Sequence, residues 1–288
     1  MKRKSSKKSP SGTMLSIMHP KIEGEYQKWA AVVGVGPGGC AVTRGMATDH
    51  EWSLDSMEVK GITSKAAAII GQRDGSSHQP LCQMLEDVDI FFLILDAKDY
   101  ESMFLAAALA KVAQDRVILA FVRGSTIQAS AGVKGLRDSV DALIVLPQEG
   151  LCTFSCQEAV GICILAILEV IRCGLLRIDA GHLTMLMQTA GGLGRVGIGR
   201  GRGHDAIATA AHAALNSLQE QLFLGSVAGG ALLFQVWEGF SLVDINRATE
   251  KLRLALPPQA LFISNFAVSR YLFEKEEGAL STFMVFGL

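Results

Sequence analysis

The segment AAVVGVGPGGCAVTRGM, residues 30–46, decides the fold class of this chain. Its apolar start, Ala31-Val32-Val33, is typical of a buried β-strand, and helical periodicity resumes near Ala41. Four glycines lie between the two and allow a tight turn: Gly34, Gly36, Gly38 and Gly39. The N–H groups of such a turn and the positive end of the helix favour a phosphate. Two interpretations follow, a phosphate cradle and a strand–helix turn that binds nothing.

Strands and helices alternate through the first half of the chain. Apolar runs at residues 89–95, 117–122 and 141–147 predict strands, and residues 103–114 predict a helix between the first two. Strands separated by helices indicate a parallel sheet with helices on both faces. The sequence therefore predicts an α/β fold with a doubly wound parallel sheet.

The second half has an α+β order. Residues 156–172 are apolar nearly all the way round a helix, so this helix belongs in the interior, as a long central helix. Further helices are predicted at 183–189, 206–221 and 242–254, and strands at 230–237, 260–266 and 278–287. The predicted organisation is a disordered basic tail (1–28), a nucleotide-binding-type α/β domain (29–155), the central helix with its connecting loop (156–182) and a C-terminal α+β domain (183–288).

The charges are unevenly distributed along the chain. There are 27 basic and 28 acidic residues, and five of the basic ones fall within the first eight positions. The rest of the chain therefore carries a net charge of about −6, which excludes a general nucleic-acid binder. The basic tail has two interpretations: a solubilising extension, or a contact with anionic membrane or nucleic acid.

The cysteines and the apolar runs indicate where in the cell the protein is expected. The six cysteines are scattered and have no histidine at ligand spacing, so no metal site is predicted. The longest apolar run, residues 159–171, is too short to cross a bilayer, and the basic start is not followed by an apolar signal region. We expect a cytoplasmic protein without a transmembrane segment.

Five collinear segments resemble the tubulin/FtsZ superfamily, and FtsZ in particular. They are GVGPGGCAVTRGM (34–46), DALIVLPQEGL (141–151), GLLRIDAGHLTMLM (174–187), GGALLFQVWEGFSLVDINRATEKL (229–252) and the closing stretch from Ala260. The resemblance covers the chain from about residue 29 to its end. It implies the FtsZ/tubulin GTPase-like fold, a guanine nucleotide in the cradle, and filaments in which one subunit completes the site of the next.

The chain departs from this family at the second phosphate loop. Family members carry GGGTGTG there, whose amides and threonines wrap the phosphates, whereas residues 96–102 read DAKDYES. No glycine remains to allow a close backbone approach. Asp96, Asp99 and Glu101 bring carboxylates near the expected phosphate oxygens, and Lys98 offsets only part of that charge. Like charges a few ångströms apart cost on the order of 1–4 kcal/mol.

The resemblance also assigns nucleotide contacts residue by residue. It places phosphate against the four glycines of the turn and against Cys40. The guanine contacts correspond to Gln148, where the family has asparagine, and to Gln157 or the adjacent Glu158, where it has aspartate. These changes predict weak binding of GTP and GDP, or none.

The catalytic loop of the family, NLDFAD, corresponds to residues 177–182, RIDAGH. Asp179 is retained as the residual catalytic carboxylate, while Arg177 and His182 replace the asparagine and the second aspartate. His182 is either a base or a surface histidine. Since hydrolysis in the family needs two carboxylates from a neighbouring subunit, the sequence predicts that hydrolysis is impaired.

The leading hypothesis is a divergent FtsZ-like cytoskeletal protein in cell division or cell shape. It would associate in filaments with itself or a conventional relative, with weakened or lost GTP binding and hydrolysis. The alternative is a functional, self-polymerising FtsZ-type GTPase. A rival from another class is a dinucleotide enzyme, because Gly34, Gly36 and Gly39 also satisfy GxGxxG. That rival needs an acidic residue at the end of the second strand, which we predict at residues 56–63, whereas Glu58 lies at its beginning.

The glycine- and arginine-rich stretch at residues 191–203 allows a further interpretation. It has the composition of an RNA-binding RGG segment, but no aromatic residues interleave it. We therefore expect an interdomain loop with surface arginines at this position.

Overall fold

A computed structural model describes residues 15–18, 30–48, 60–62, 88–124, 131–147, 153–174, 178–269 and 278–287. The strands within these residues are β1 Leu15–Met18, β2 Ala30–Val35, β3 Lys60–Ile62, β4 Ile90–Asp96, β5 Val117–Arg123, β6 Ala142–Val145, β7 Leu193–Arg202, β8 Gly229–Val236, β9 Leu261–Val268 and β10 Gly278–Phe286. The α-helices are α1 Gly36–Thr48, α2 Tyr100–Val112, α3 Ala131–Arg137, α4 Cys156–Cys173, α5 Ala180–Thr189, α6 Ala206–Gln219 and α7 Leu242–Leu254.

The described strands form one sheet in the order β3-β1-β2-β4-β5-β6-β7-β10-β8-β9. Strands β2, β4, β5, β6 and β7 run parallel to one another, and β8 runs parallel to β9. The antiparallel contacts are made by β1 with β2 and β3, and by β10 with β7 and β8. The predicted α/β fold with a mostly parallel sheet is confirmed.

Helices cover both faces of this sheet. On β4, Phe92 and Ile94 join a core with α1, α4 and α5, while Phe91 and Leu93 join a second core with α2 and α3. Helices α6 and α7 extend the second layer over β8 and β10. Because both faces are buried, strands β2, β4, β5 and β6 are continuous apolar runs rather than alternating ones.

Helix α4 is the most completely buried of the described helices, as its all-round apolar sequence predicts. A capping box starts it: the Ser155 hydroxyl accepts from the Glu158 N–H at 3.2 Å, and the Glu158 carboxylate accepts from the Ser155 N–H at 2.7 Å. The residues from Ala159 to Leu168 are buried on every side. The helix packs against α1 and against β8 and β9. Its 18 residues span ~27 Å.

Strand β7 corrects the prediction of a loop at residues 191–203. Glycines two apart place Gly197, Gly199 and Gly201 on one face of the strand, against α6. A Cβ at each would collide with the carbonyl oxygen of a facing alanine, in order Ala214, Ala210 and Ala206. The glycines therefore serve close helix–sheet packing, which composition alone could not distinguish from a turn.

Other boundaries also differ from the predictions. Helix α1 begins at Gly36 rather than near Ala41, since Pro37 fits the first turn of a helix. Helix α3, with its two glycines, was not predicted. Residues 15–18, predicted within the disordered tail, form β1 because an alternating segment pairs with the edge of β2. The rest of that tail, residues 1–14 and 19–28, lies outside the described residues.

Candidate functional site

The candidate site lies at the carboxyl ends of the adjacent parallel strands β2 and β4, from which the chain continues to opposite faces of the sheet. Strand β2 leads into α1 on one face of the sheet, whereas β4 leads into α2 on the other. The two helices therefore diverge beyond the carboxyl ends of β2 and β4, and we call the region at the two strand–helix connections the crevice. Such a topological switch point is where open α/β sheets bind ligands.

The β2–α1 turn forms one side of this crevice. Gly36 has a φ of +73°, a conformation that favours glycine. Gly34 and Gly39 have a packing role instead: a Cβ at Gly34 would collide with the Gly39 carbonyl, and one at Gly39 would collide with the Ile94 carbonyl. Pro37 provides no N–H to the first turn of α1. The glycines thus permit a tight, closely packed turn whether or not a phosphate binds.

Cys40, which the resemblance assigns to nucleotide binding, faces the protein interior. Its side chain is fully buried, and its Sγ donates to the Gly34 carbonyl at 3.3 Å. Burial raises the pKa of the Cys40 thiol to about 11, although the Arg44 guanidinium opposes the shift. The thiol is therefore neutral and belongs to the internal packing of the turn.

The β4–α2 connection forms the other side, and its helix is capped by its own carboxylate. Asp99 precedes α2, and its Oδ1 accepts from the Ser102 N–H at 3.2 Å while its Oδ2 accepts from the Ser102 hydroxyl. A Cβ at Gly36 would collide with this Asp99–Ser102 pair. The negative charge favoured at the start of a helix is therefore supplied here by Asp99, directly against the glycine turn.

Asp96 adds a second ionised carboxylate to the same rim. Its Oδ2 accepts from the Arg123 guanidinium at 2.8 Å and 3.2 Å, and its Oδ1 accepts from the Lys98 N–H at 3.0 Å. Partial burial alone would raise the pKa of Asp96, but the Lys98 N–H and the Arg123 guanidinium outweigh it and lower the pKa. A Cβ at Gly38 would touch this side chain. Asp96 is thus fixed in its charged form beside the turn.

The two sides of the crevice differ in how they suit a nucleotide phosphate. The glycine turn fits one, because it combines close backbone approach with a helix N-terminus. The β4–α2 side does not fit, because Asp99 already uses the Ser102 N–H and presents negative charge. Repulsion between such a carboxylate and a phosphate costs on the order of 1–4 kcal/mol.

The predicted guanine contacts are described only in part. Gln157 lies in the first turn of α4, and a Cβ at Gly45 of α1 would collide with its amide. This side chain therefore packs between the two helices. Gln148 lies outside the described residues, so its assignment stays a prediction.

Asp179 caps α5 and is not brought to the crevice. Its Oδ1 accepts from the His182 N–H at 2.9 Å and lies 2.8 Å from His182 Nδ1. The backbone N–H and the ring of His182 lower the pKa of Asp179, which is exposed. Helix α4 carries the chain ~27 Å away from the crevice edge before α5 begins. Within one molecule, Asp179 therefore has a capping role.

Two residues of this site were missed in the sequence. Ser102 holds Asp99 in place and Arg123 holds Asp96, but the sequence identifies only the two aspartates as candidate site residues. An aspartate directly before a helical pattern is an N-cap signal, and it could have identified the Asp99–Ser102 pair. Arg123 had no local signal, since 27 residues separate it from Asp96.

The described residues contain neither a metal-binding cluster nor a membrane-spanning helix. Among them, no group of three or more His, Cys, Asp or Glu side chains is placed to hold a metal ion. No helix in the same part of the chain is long and apolar enough to cross a membrane.

The fold is similar to solved structures of FtsZ and CetZ. An FtsZ mutant from M. jannaschii matches with a TM-score of 0.58 at 17% identity, covering 78% of this chain and 70% of that one. CetZ1 from Haloferax volcanii, a GDP-bound monomer, matches with a TM-score of 0.55 at 13% identity, covering 78% and 72%. CetZ from Methanosaeta thermophila matches with a TM-score of 0.52 at 14% identity, covering 74% and 67%. No protein-family model and no curated protein matches the sequence.

Proposed function

We propose that this chain, whose fold is that of FtsZ and CetZ, is a cytoskeletal protein that works without a tightly bound guanine nucleotide. It acts in the cytoplasm, in cell division or cell shape. It associates with its own copies or with a conventional FtsZ-type relative. Hydrolysis of GTP is weak or lost.

The Asp99 carboxylate is the observation that carries this proposal. It caps α2 through the Ser102 N–H and lies against Gly36, at the crevice where the fold would hold phosphate. A bound phosphate would have to displace this cap or lie beside its charge. Asp96 lies at the same rim, but it is paired with Arg123, whose guanidinium is equally close to Gly38, so this ion pair adds little net charge.

The residues at the start of α5 support the proposal that hydrolysis is weak or lost. In the resembling family, a neighbouring subunit supplies two carboxylates to the nucleotide. Here Asp179 is engaged by His182, which stands in place of the second carboxylate. A single carboxylate occupied in a helix cap is poorly suited to orient an attacking water.

Association with a second copy is supported by the fold rather than by a described interface. One similar FtsZ structure from M. jannaschii is a dimer, matched with a TM-score of 0.58 at 18% identity and covering 73% of this chain. We extend to this chain only the capacity to associate with a second copy.

The nucleotide content of the purified protein tests the proposal. The chain is expressed in bacteria, purified without added nucleotide and denatured, and the released small molecules are separated and quantified. We expect much less than one guanine nucleotide per ten chains, because the Asp99 carboxylate opposes retention. A content near one nucleotide per chain would contradict the proposal.

A functional GTP-binding polymer former is the second candidate, and the intact β2–α1 turn favours it. Gly36 keeps the positive φ and close approach that a phosphate turn needs. This candidate predicts GTP-dependent sedimentation and light scattering, and the loss of both on Gly36→Asp. Under our proposal, GTP changes neither signal in the unsubstituted protein.

A further inference from the structure

Glu169 is a largely buried carboxyl group between α4 and the sheet, far from the crevice in sequence and contacts. Its Oε2 accepts from Gln235 Nε2 at 2.7 Å, and its Oε1 accepts from Ser269 Oγ at 2.9 Å. Gln235 lies on β8 and Ser269 directly follows β9, and both are buried. The carboxyl therefore joins the last turns of α4 to two strands across 66 and 100 residues of chain.

The described surroundings of this carboxyl provide no compensating charge. Strands β8, β9 and β10, which pack against α4, contain no ionisable residue. On α1, Arg44 is exposed and donates to the Cys40 carbonyl. On α4 itself, Glu158 is ~16 Å away along the helix and caps its first turn; the side chain of Arg172 lies outside the described residues. Burial raises the pKa of Glu169, although the donors on Gln235 and Ser269 oppose the shift.

The two hydrogen bonds suit a protonated carboxyl as well as an ionised one. A serine hydroxyl can donate to a carboxylate or accept from a carboxylic acid O–H. Gln235 Nε2 can donate to the carbonyl oxygen of the acid as it does to the carboxylate. Gaining a proton therefore costs neither hydrogen bond, while losing it buries a charge among neutral partners.

We propose that Glu169, Gln235 and Ser269 form a proton-dependent lock that holds α4 against β8 and β9. With the proton bound, the three side chains join helix and strands without a buried charge. When the proton leaves, the buried carboxylate weakens this junction. Raising the pH thus loosens the contact between α4 and the strands, independently of any nucleotide.

The substitution Glu169→Gln tests the lock, because the amide reproduces the protonated carboxyl. Its oxygen accepts from Gln235 and its nitrogen donates to Ser269. In the unsubstituted protein, the folded pKa is raised, so stability is highest below the ordinary glutamate pKa of ~4.3 and falls as pH rises through the folded pKa. Between the ordinary glutamate pKa and the folded pKa, the titration of Glu169 raises the equilibrium constant of unfolding by up to tenfold per pH unit.

Urea unfolding across a pH series measures this effect. We expect Glu169→Gln to remove the loss of stability that accompanies the titration of Glu169. At pH values above the folded pKa of Glu169, the variant should be more stable than the unsubstituted protein. The matched control Glu250→Gln, an exposed position on α7, keeps the full pH dependence. A Glu169→Gln protein that retains the pH dependence, or that is less stable throughout, would overturn the lock.

Infrared spectroscopy of the unsubstituted protein reports the protonation state of carboxyl groups directly, so this test does not depend on whether the variant folds. At pH ~6 an ordinary glutamate is almost fully ionised. Burial raises the pKa of Glu169, so we expect one carbonyl stretch of a protonated carboxylic acid in the unsubstituted protein to disappear at a higher pH than those of the ordinary carboxyl groups. If every such band disappears together with those of the ordinary carboxyl groups, the lock is wrong.

Discussion

Replacing Gly199 by alanine is expected to lower the free energy of unfolding by about 3 kcal/mol or more. The new methyl group would collide with the Ala210 carbonyl of α6, so helix and strand would have to separate. Overpacking in a dense core costs about 1–3 kcal/mol, and more where backbone must move. Urea denaturation followed by circular dichroism measures the loss.

Gly135→Ala is the matched control for this prediction. Gly135 lies in α3, and a Cβ there would meet no atom within 4 Å. The same change should therefore stabilise the protein by about 0.4–1 kcal/mol, because alanine lowers the entropy of the unfolded chain. Equal effects at the two positions would refute the close packing of β7 on α6.

The same strand illustrates what the sequence could and could not predict. The apolar runs of β4 and β5 and the all-round apolar face of α4 identify these elements, since burial on both faces leaves a continuous apolar signature. Strand β7 carries glycine and arginine instead, so its own residues do not identify it as a strand. The pattern becomes recognisable only when β7 is compared with the helix that packs on it, α6. Glycines spaced by two in β7 face alanines spaced by four in α6, and only both patterns together indicate a strand under a close helix.

Asp99→Asn is expected to raise the affinity of the crevice for a polyphosphate by about 5- to 1,000-fold. The substitution removes one negative charge within a few ångströms of the expected phosphate, which corresponds to ~1–4 kcal/mol. Asparagine is as good an N-cap as aspartate, so α2 should keep its start. Titration with inorganic pyrophosphate at low salt, where charge effects are least screened, measures the change.

Asp205→Asn is the matched control for Asp99→Asn. Asp205 also precedes a helix, α6, but it is exposed and makes no side-chain cap bond. Its substitution should leave pyrophosphate binding at the unsubstituted level. Equal affinities for Asp99→Asn and the unsubstituted protein would show that Asp99 does not obstruct the crevice.

The candidate site was only partly predictable, because its character depends on partners distant in sequence. The sequence identifies the glycine turn and the acidic replacement loop at residues 96–102. It does not indicate that Arg123 holds Asp96 ionised, or that Asp99 caps α2 against Gly36. Cys40, aligned with the nucleotide-binding turn, proves to be an internal thiol. Such roles follow from the register of β4 with β5 and from the start of α2.

The central claim is that the Asp99 carboxylate occupies the phosphate side of the crevice in this FtsZ-like fold. Calorimetric titration of the unsubstituted protein with GDP tests it most directly, because GDP presents phosphates to the crevice without requiring hydrolysis or assembly. The account predicts no binding in the micromolar range. A dissociation constant that is micromolar or tighter would contradict it.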